Sequence, residues 1–593
     1  VNRFSNGLRR ALRAPALLAA AALALAGHAA LAQNYPKVAP RLPETAEPAP
    51  VNMPKATEAA RERRPQDADP VLLPVLKGLV FVDGPFKLKR EGLAADAAGA
   101  SGVDTGGLED LEDPGFQALV APYVGRPLRL SDLDEIREVA RSWYIDRGKP
   151  FLDVTAPPQN VTSGVVQIVV TRYRLGEVTV TGAKHFSDKV VRRPLTLKSG
   201  EYLYLPRIEE ELDRLNENPF LSVNAVFEPG KATGETDLIL QASDRRPVRV
   251  YAGYDNRGFR QLGLDQMEVG VNWGNAFGAG HILSYQHTRS FTGRFAAHSA
   301  SGVFGVGPKD KLLVFGSYST VRPRIADGFD NVGHSGQASA RLSRALPPIG
   351  PVSGSVQAGY DFKFTDNNLE FAGVEIIDSK LEVHQFPITV LLNIPDSFGQ
   401  TSIANDLVLS PGDLSDRNTD AAFDALVPGA KARYAYDRLS VTRTTRLPRN
   451  MTWVVRAAGQ VASGNLPNSE QIGGGGSGSA RGYYPDTAVG SSGVILNTEL
   501  RFPPFSPSAL IAPKRQVGDA LQAGVFYDFV DIQQVDEVEG GSPPARLESV
   551  GFLLNYAAAR SIDVAIDGGV QLRKGPNEMK KGGYVAVSFT MSF

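Results

Sequence analysis

From Arg246 to Phe593 the chain alternates apolar and polar positions with a period of two. Val248, Val250, Ala252 and Tyr254 stand against Arg249, Tyr251, Gly253 and Asp255. Met267, Val269, Val271 and Trp273 stand against Gln266, Glu268, Gly270 and Asn272. Val356 to Phe364, Leu521 to Phe529 and Val585 to Phe593 repeat the pattern, and the last of these ends on an aromatic. This is the period of strands with two unlike faces. Clusters of Gly, Asn, Asp and Pro, such as 275–280 and 411–416, punctuate them. Upstream the period is helical. Leu133, Ile136, Val139, Ala140, Trp143 and Tyr144 share one helix face, begun at Ser131 with Asp134 as a variant capping box and followed by Gly148. Phe116, Leu119, Val120 and Tyr123 mark an earlier helix. Ile208, Leu212 and Leu215 mark a later one that Pro206 opens.

Strands at 75–82, 165–171, 176–182, 221–228 and 235–242 complete two successive β-α-α-β-β modules, 75–173 and 174–243, a repeat of topology without obvious repeat of sequence. The Gly-, Ala- and Asp-rich stretch Glu91 to Glu112 inside the first reads as a mobile insertion. Residues 33–74 carry nine prolines and read as an extended linker, in which Lys55 to Arg64 has the composition of a short plug helix.

Composition narrows the class. Glycine, at 60 residues, favours turn-dense β structure. The formal net charge of -1 gives no field for nucleic acid. Arg3, Arg9, Arg10 and Arg13, an apolar run to Gly27 and Ala30-Leu31-Ala32 read as a signal peptide over 1–32, which sends the chain out of the cytoplasm. No later stretch has transmembrane-helix length, so a membrane would be crossed by a closed barrel. At about 22 residues per strand and connection, 246–593 accommodates about sixteen antiparallel strands. The expected fold is therefore a membrane all-β barrel behind two α+β modules. A soluble β-sandwich would also alternate, but here the polar face carries charge and glycine while aromatics sit near strand ends.

The candidate chemistry lies in Gly473 to Phe502. A glycine run leads to Ala480-Arg481-Gly482-Tyr483 and then to a strand with Val494, Leu496, Thr498, Leu500 and Phe502 on one face and Ile495, Asn497, Glu499 and Arg501 on the other. A glycine-rich arm anchored there can fold back into a polar interior. Asp528 and Phe526 fall on the lumenal face of a second strand by the same alternation. From the residues alone, Arg481 in an exterior loop with Asp528 lining a wet pore is the plainer reading.

Signal peptide, proline-rich linker, two modules and a barrel resemble the two-partner secretion transporters of the outer-membrane polypeptide-transport superfamily, whose modules are POTRA domains. Pro157-Pro158-Gln159 before Gly164-Val165-Val166, the glycines of 175–182, the Asp255-Asn256 pair and above all Arg481-Gly482-Tyr483 carry the resemblance. Ala480 replaces the valine of the usual V-R-G-[YF], and Phe526-Tyr527-Asp528 follows F-x-D-x-G with Val530 where glycine is usual. The resemblance implies that Arg481, Gly482 and Tyr483 form a transport loop, that Arg481 pairs with Asp528 beside Phe526, and that a large unfolded exoprotein of adhesin or haemolysin type is exported without nucleotide hydrolysis. It implies an outer-membrane location with periplasmic modules, lipid around the barrel, and a monomer. A barrel-assembly insertase and a passive porin are the alternatives. No catalytic constellation, cofactor motif or metal spacing is found: Asp104-Thr105-Gly106 occurs once without flanking apolar strands, and the seven histidines are scattered.

Overall fold

The computed structural model describes residues 38–43, 69–324, 329–371, 374–511, 518–558, 561–576 and 578–593. The expected signal peptide and the plug helix expected at 55–64 lie outside them. The chain divides into two units, residues 44–245 and residues 1–43 with 246–593.

In the first unit, strand Gly78–Asp83 runs parallel to Val165–Arg172, with Val103–Asp104 at one edge and Leu152–Thr155 at the other. Helices Pro114–Val120 and Leu130–Asp146 pack on this sheet because Phe116, Val120, Ile136, Ala140 and Tyr144 face it and are buried. Phe81 meets Phe116 edge-on at 5.3 Å. Leu119, grouped with that apolar face from sequence, is 50% exposed. The stretch read as a mobile insertion is packed: Leu108 and Leu111 are fully buried, and Val103 pairs with Leu79. The long helix starts one residue before Ser131. Asp132 accepts from the Arg129 amide at 2.8 Å, while the Ser131 hydroxyl donates to Asp69. A capping box is a local hydrogen-bond choice, and Asp69, 62 residues away, outcompetes Asp134 for the serine.

The second module is a three-stranded sheet in the order Arg174–Thr181, Glu235–Asp244, Leu221–Pro229. Helix Leu205–Leu215 buries Ile208, Leu212 and Leu215 on it. Asp244 collects the amides of Lys184, His185 and Phe186 at 2.8, 2.6 and 3.1 Å, fixing the turn that enters Asp188–Arg192.

The second unit is a closed antiparallel barrel of sixteen strands. They are β1 Val248–Asp255, β2 Gln266–Ala276, β3 His281–Ser290, β4 Phe295–Gly305, β5 Asp310–Val321, β6 Phe329–Ala345, β7 Ser353–Phe371 and β8 Val374–Asp396. The circuit continues with β9 Gly399–Pro411, β10 Arg433–Leu447, β11 Met451–Ala462, β12 Ser492–Arg501, β13 Asp519–Gln533, β14 Ala545–Ala558, β15 Ile562–Gln571 and β16 Gly583–Ser592. β1 pairs with β16, with Tyr254 opposite Phe589, so no edge is left open. The burial is inverted relative to a soluble sandwich. Val269, Leu342, Val525 and Val585 are exposed on the outer face, while Asn272, Gln286, Asp361 and Asp528 are buried on the inner one. Apolar outside and polar inside is the arrangement lipid demands of a strand barrel.

Part of the linker also lies within this unit. The Arg41 guanidinium reaches Glu268 of β2 at 2.6 Å and Thr590 of β16 at 2.6 Å, and its amide donates to the Tyr251 hydroxyl at 2.9 Å. The Val38 carbonyl accepts from Ser299 of β4. These are inward-facing side chains, so residues 38–43 run along the inner wall of β1–β4.

Candidate functional site

The connection from β11 to β12 spans residues 463–491 and turns back into the bore. Its stem is a short hairpin, Ile472–Gly474 against Ala488–Gly490. Glycine is required there by close approach. A Cβ on Gly474 would meet Val530 Cγ1 at 2.7 Å, and one on Gly490 would meet Ile532 at 2.5 Å. This explains the departure at Val530: the branched residue fills space against the loop, and the glycine that admits it sits on the loop side. Ile472, Ala480, Tyr483, Val530, Ile532 and Leu547 form the resulting apolar contact between loop and wall.

Beyond the hairpin Arg481 turns onto the wall. Its Nε and Nη2 donate to the two oxygens of Asp528 on β13 at 2.9 and 2.7 Å, its amide donates to the same carboxylate at 2.9 Å, and Nη1 donates to Glu499 on β12 at 2.8 Å. The guanidinium lies 3.6 Å over the Phe526 ring. Arg481 is 5% exposed, Asp528 0% and Glu499 4%, so this fork is cut off from water. Two buried carboxylates facing one arginine would repel if nothing else touched them. Glu499 is held further by Arg456 and Arg501 at 2.8 and 2.6 Å, and Asp528 by the Asn497 amide at 2.8 Å.

The residue after the arginine has φ +93°, and a Cβ there would meet the Gly569 backbone at 2.8 Å. The loop backbone thus lies on that of β15, glycine against glycine. Gln571 secures it by donating to the Gly482 carbonyl at 3.2 Å. Tyr483 is fully buried, its hydroxyl within hydrogen-bond reach of the Glu548 and Arg573 carbonyls at 2.9 and 2.6 Å. The structure therefore brings Arg481, Gly482, Tyr483, Phe526 and Asp528 into one site.

Sequence reasoning missed its other half. Glu499 and Asn497 had been placed on the polar face without a partner. Gly569, within the Gly568-Gly569 doublet of β15, carried a signal, since glycine inside a strand marks close backbone approach. The base of the loop is fastened separately. Glu470 accepts from Lys363 of β7 at 2.6 Å and from the Tyr436 hydroxyl of β10 at 2.9 Å. Its carbonyl accepts from Arg438 and Gln460 at 3.2 and 3.0 Å. Between residues 470 and 483 the loop therefore passes from side chains of β7 and β10 to those of β12–β15, across the bore. Nothing in the linear pattern couples Lys363 to a residue 107 positions later.

Residues 234–519 match the model of the haemolysin secretion/activation proteins ShlB/FhaC/HecB, and residues 100–172 match the ShlB-type POTRA domain. The chain is 22% identical over 462 residues to the heme/hemopexin transporter protein HuxB of Haemophilus influenzae (strain 86-028NP), covering 75% of this chain and 78% of HuxB. It is 24% identical over 395 residues to the outer membrane transporter CdiB of Dickeya dadantii, covering 65% and 69%. In fold it is similar to CdiB from Escherichia coli, with a TM-score of 0.70 at 18% identity over 93% of this chain and 94% of that one.

Proposed function

The chain belongs to the ShlB/FhaC/HecB family of two-partner secretion transporters in the outer membrane, and we propose that its export step depends on the loop of residues 463–491 being hooked to the inner wall by Arg481. As in that family, the POTRA modules lie in the periplasm and the barrel passes a separately made exoprotein to the surface. β1 starts directly after the modules, so the connections that follow odd-numbered strands, the hooked loop among them, belong to the cell-surface end.

The buried fork of Arg481 on Asp528 and Glu499 carries the reading. A loop fixed at both walls holds the bore narrow and keeps polar backbone and side chains displayed along it. An incoming extended client finds donors and acceptors already oriented, and water need not fill a wide hole. The client fitting such a path is an unfolded, repeat-rich exoprotein of the adhesin or haemolysin kind. The Arg41 segment lies along a different part of the inner wall, on β1–β4, and shifts when the client passes.

Recognition in the periplasm needs an open strand edge. Val165–Arg172 is paired on both sides, so the edge strand Leu152–Thr155 is the available template beside helix Leu130–Asp146. The experiment is co-expression with a candidate large, repeat-rich exoprotein, scoring that protein outside the cell. Wild type secretes it, whereas Arg481→Ala and a deletion of residues 76–172 do not, although both barrels insert. Secretion at wild-type level by Arg481→Ala removes the hook from the mechanism.

A further inference from the structure

The outer face of β3–β6 is not uniformly apolar. Cross-strand register sets Arg289 beside Ala296, Ala296 beside Thr320 and Thr320 beside His334. One step nearer the membrane middle, His287 faces His298, and His298 faces Tyr318. One step farther out, the Arg322 amide bonds the Arg294 carbonyl at 2.8 Å, which places those two side by side. All of these share the outward parity of their strands, with Tyr285 and Tyr318 41% and 45% exposed. Toward the periplasmic side the same face turns apolar, with Val314 and Leu342 exposed, and on the adjoining β2 the exposed Val269 stands opposite His287.

Three arginines converge there, and among the described residues no carboxylate pairs with any of them. The acidic groups flanking the patch are engaged elsewhere: Asp265, diagonal to Arg289 across β2, accepts from the Tyr254 hydroxyl at 2.7 Å, and Asp366, opposite His334, faces Lys380 at 3.8 Å. His298 and His334 are steadied through Nδ1 by the Tyr285 and Tyr318 hydroxyls at 2.7 and 2.9 Å, which turns each Nε2 away from the tyrosine. Unpaired cations next to a hydrocarbon belt are costly unless the headgroup layer supplies an anion. The layer at this height is the cell-surface leaflet.

We infer that this patch, centred on Arg289, Arg294, Arg322 and His298, is a binding site for the phosphate groups of a phosphorylated glycolipid of the outer leaflet. The arginine forks take phosphate oxygens bidentately, the imidazoles add single donors, and the acyl chains lie on Val269, Val314 and Leu342. The inference uses the outer-membrane placement of the barrel and is independent of the loop's role.

The test is native mass spectrometry of the full chain, purified in mild detergent, stripped of lipid and titrated with bisphosphorylated lipid A or with the same lipid after enzymatic dephosphorylation. Wild type is expected to prefer the phosphorylated form. Three arginines near a headgroup layer are together worth about a hundredfold in affinity at low salt, so R289Q/R294Q/R322Q should weaken binding by about that factor. R289K/R294K/R322K should keep most of it. Should the glutamine triple fail to insert, as judged by heat-modifiable migration, R289Q/R322Q gives the same reading with a loss of about thirtyfold. Equal binding of the dephosphorylated lipid, unchanged binding by the glutamine variants, or displacement of the lipid by inorganic phosphate alone would each overturn the site.

Discussion

Replacing Arg481 with alanine removes three side-chain bonds from two buried carboxylates and the cation over Phe526. Breaking a buried pair from one side costs about 3–5 kcal/mol, because the partner is left charged and dry. The lower end applies here. Glu499 keeps Arg456 and Arg501, and Asp528 keeps the loop amide of residue 481 and Asn497. About 3 kcal/mol lowers the ratio of docked to undocked loop by ~150-fold, at roughly 1.4 kcal/mol per decade. Lysine keeps the charge but not the fork, and should fall between, about tenfold below wild type. The assay has two arms, exoprotein recovered outside the cell and single-channel recording of purified protein in planar bilayers. Secretion should collapse in the alanine variant and be reduced in the lysine variant, while openings become more frequent and larger in the same order. The reasoning is refuted if Arg481→Ala shows the wild-type opening pattern together with undiminished export.

Further outcomes follow from three other sites. Gly569→Ala places a Cβ 2.7 Å from the carbonyl carbon of residue 481, so it should weaken loop docking and export while the barrel still inserts, read by heat-modifiable migration. Lys363→Met leaves Glu470 buried without its cation and should raise the frequency of channel openings. Glu470→Gln, which keeps a group able to bond Tyr436, should do so less, and K363E/E470K should return toward wild type; no recovery in the double variant would dismiss the pairing. In the second module, burial would raise the Asp244 carboxyl, but the amides of His185, Lys184 and Phe186 and the His185 ring outweigh it and hold it below its ordinary value. Its stabilising contribution is therefore full above the unfolded carboxyl's range near ~3.9 and is lost as pH falls through the lowered folded value. Acid unfolding followed by hydrogen exchange in this module should be less steep in Asp244→Asn, which should also cost about 2 kcal/mol at neutral pH.

Much of the barrel was legible because each strand records its own two faces residue by residue. Parity alone put Asp528, Phe526, Asn497 and Glu499 on the polar side, where they lie. Parity does not say which polar residues meet across a bore, so the Lys363–Glu470 pair was invisible, and the glycine doublet of β15 signalled a close approach without naming Gly482 as its partner. Loop 463–491 is where backbone and wall are chosen together, as Gly474 and Val530 illustrate. In the first module the stretch 91–112 looked mobile because its small and acidic residues outnumber its leucines. Two fully buried leucines, Leu108 and Leu111, suffice to tie it to the core, and composition averages conceal them. The cap at Ser131 was misplaced for a related reason, since its partner, Asp69, lies far upstream.

The docked position of the hook can be measured without waiting for a client. The chain has no cysteine, so Gly474→Cys with Val530→Cys introduces a single possible disulfide, between loop and wall. The 2.7 Å approach of a Cβ at 474 to Val530 Cγ1 places the pair within bonding range. In intact outer membranes under mild oxidation the pair should cross-link almost completely, and adding Arg481→Ala should sharply reduce the yield. A pair that fails to cross-link, or one that cross-links equally well without Arg481, would contradict a loop held in the bore by that arginine.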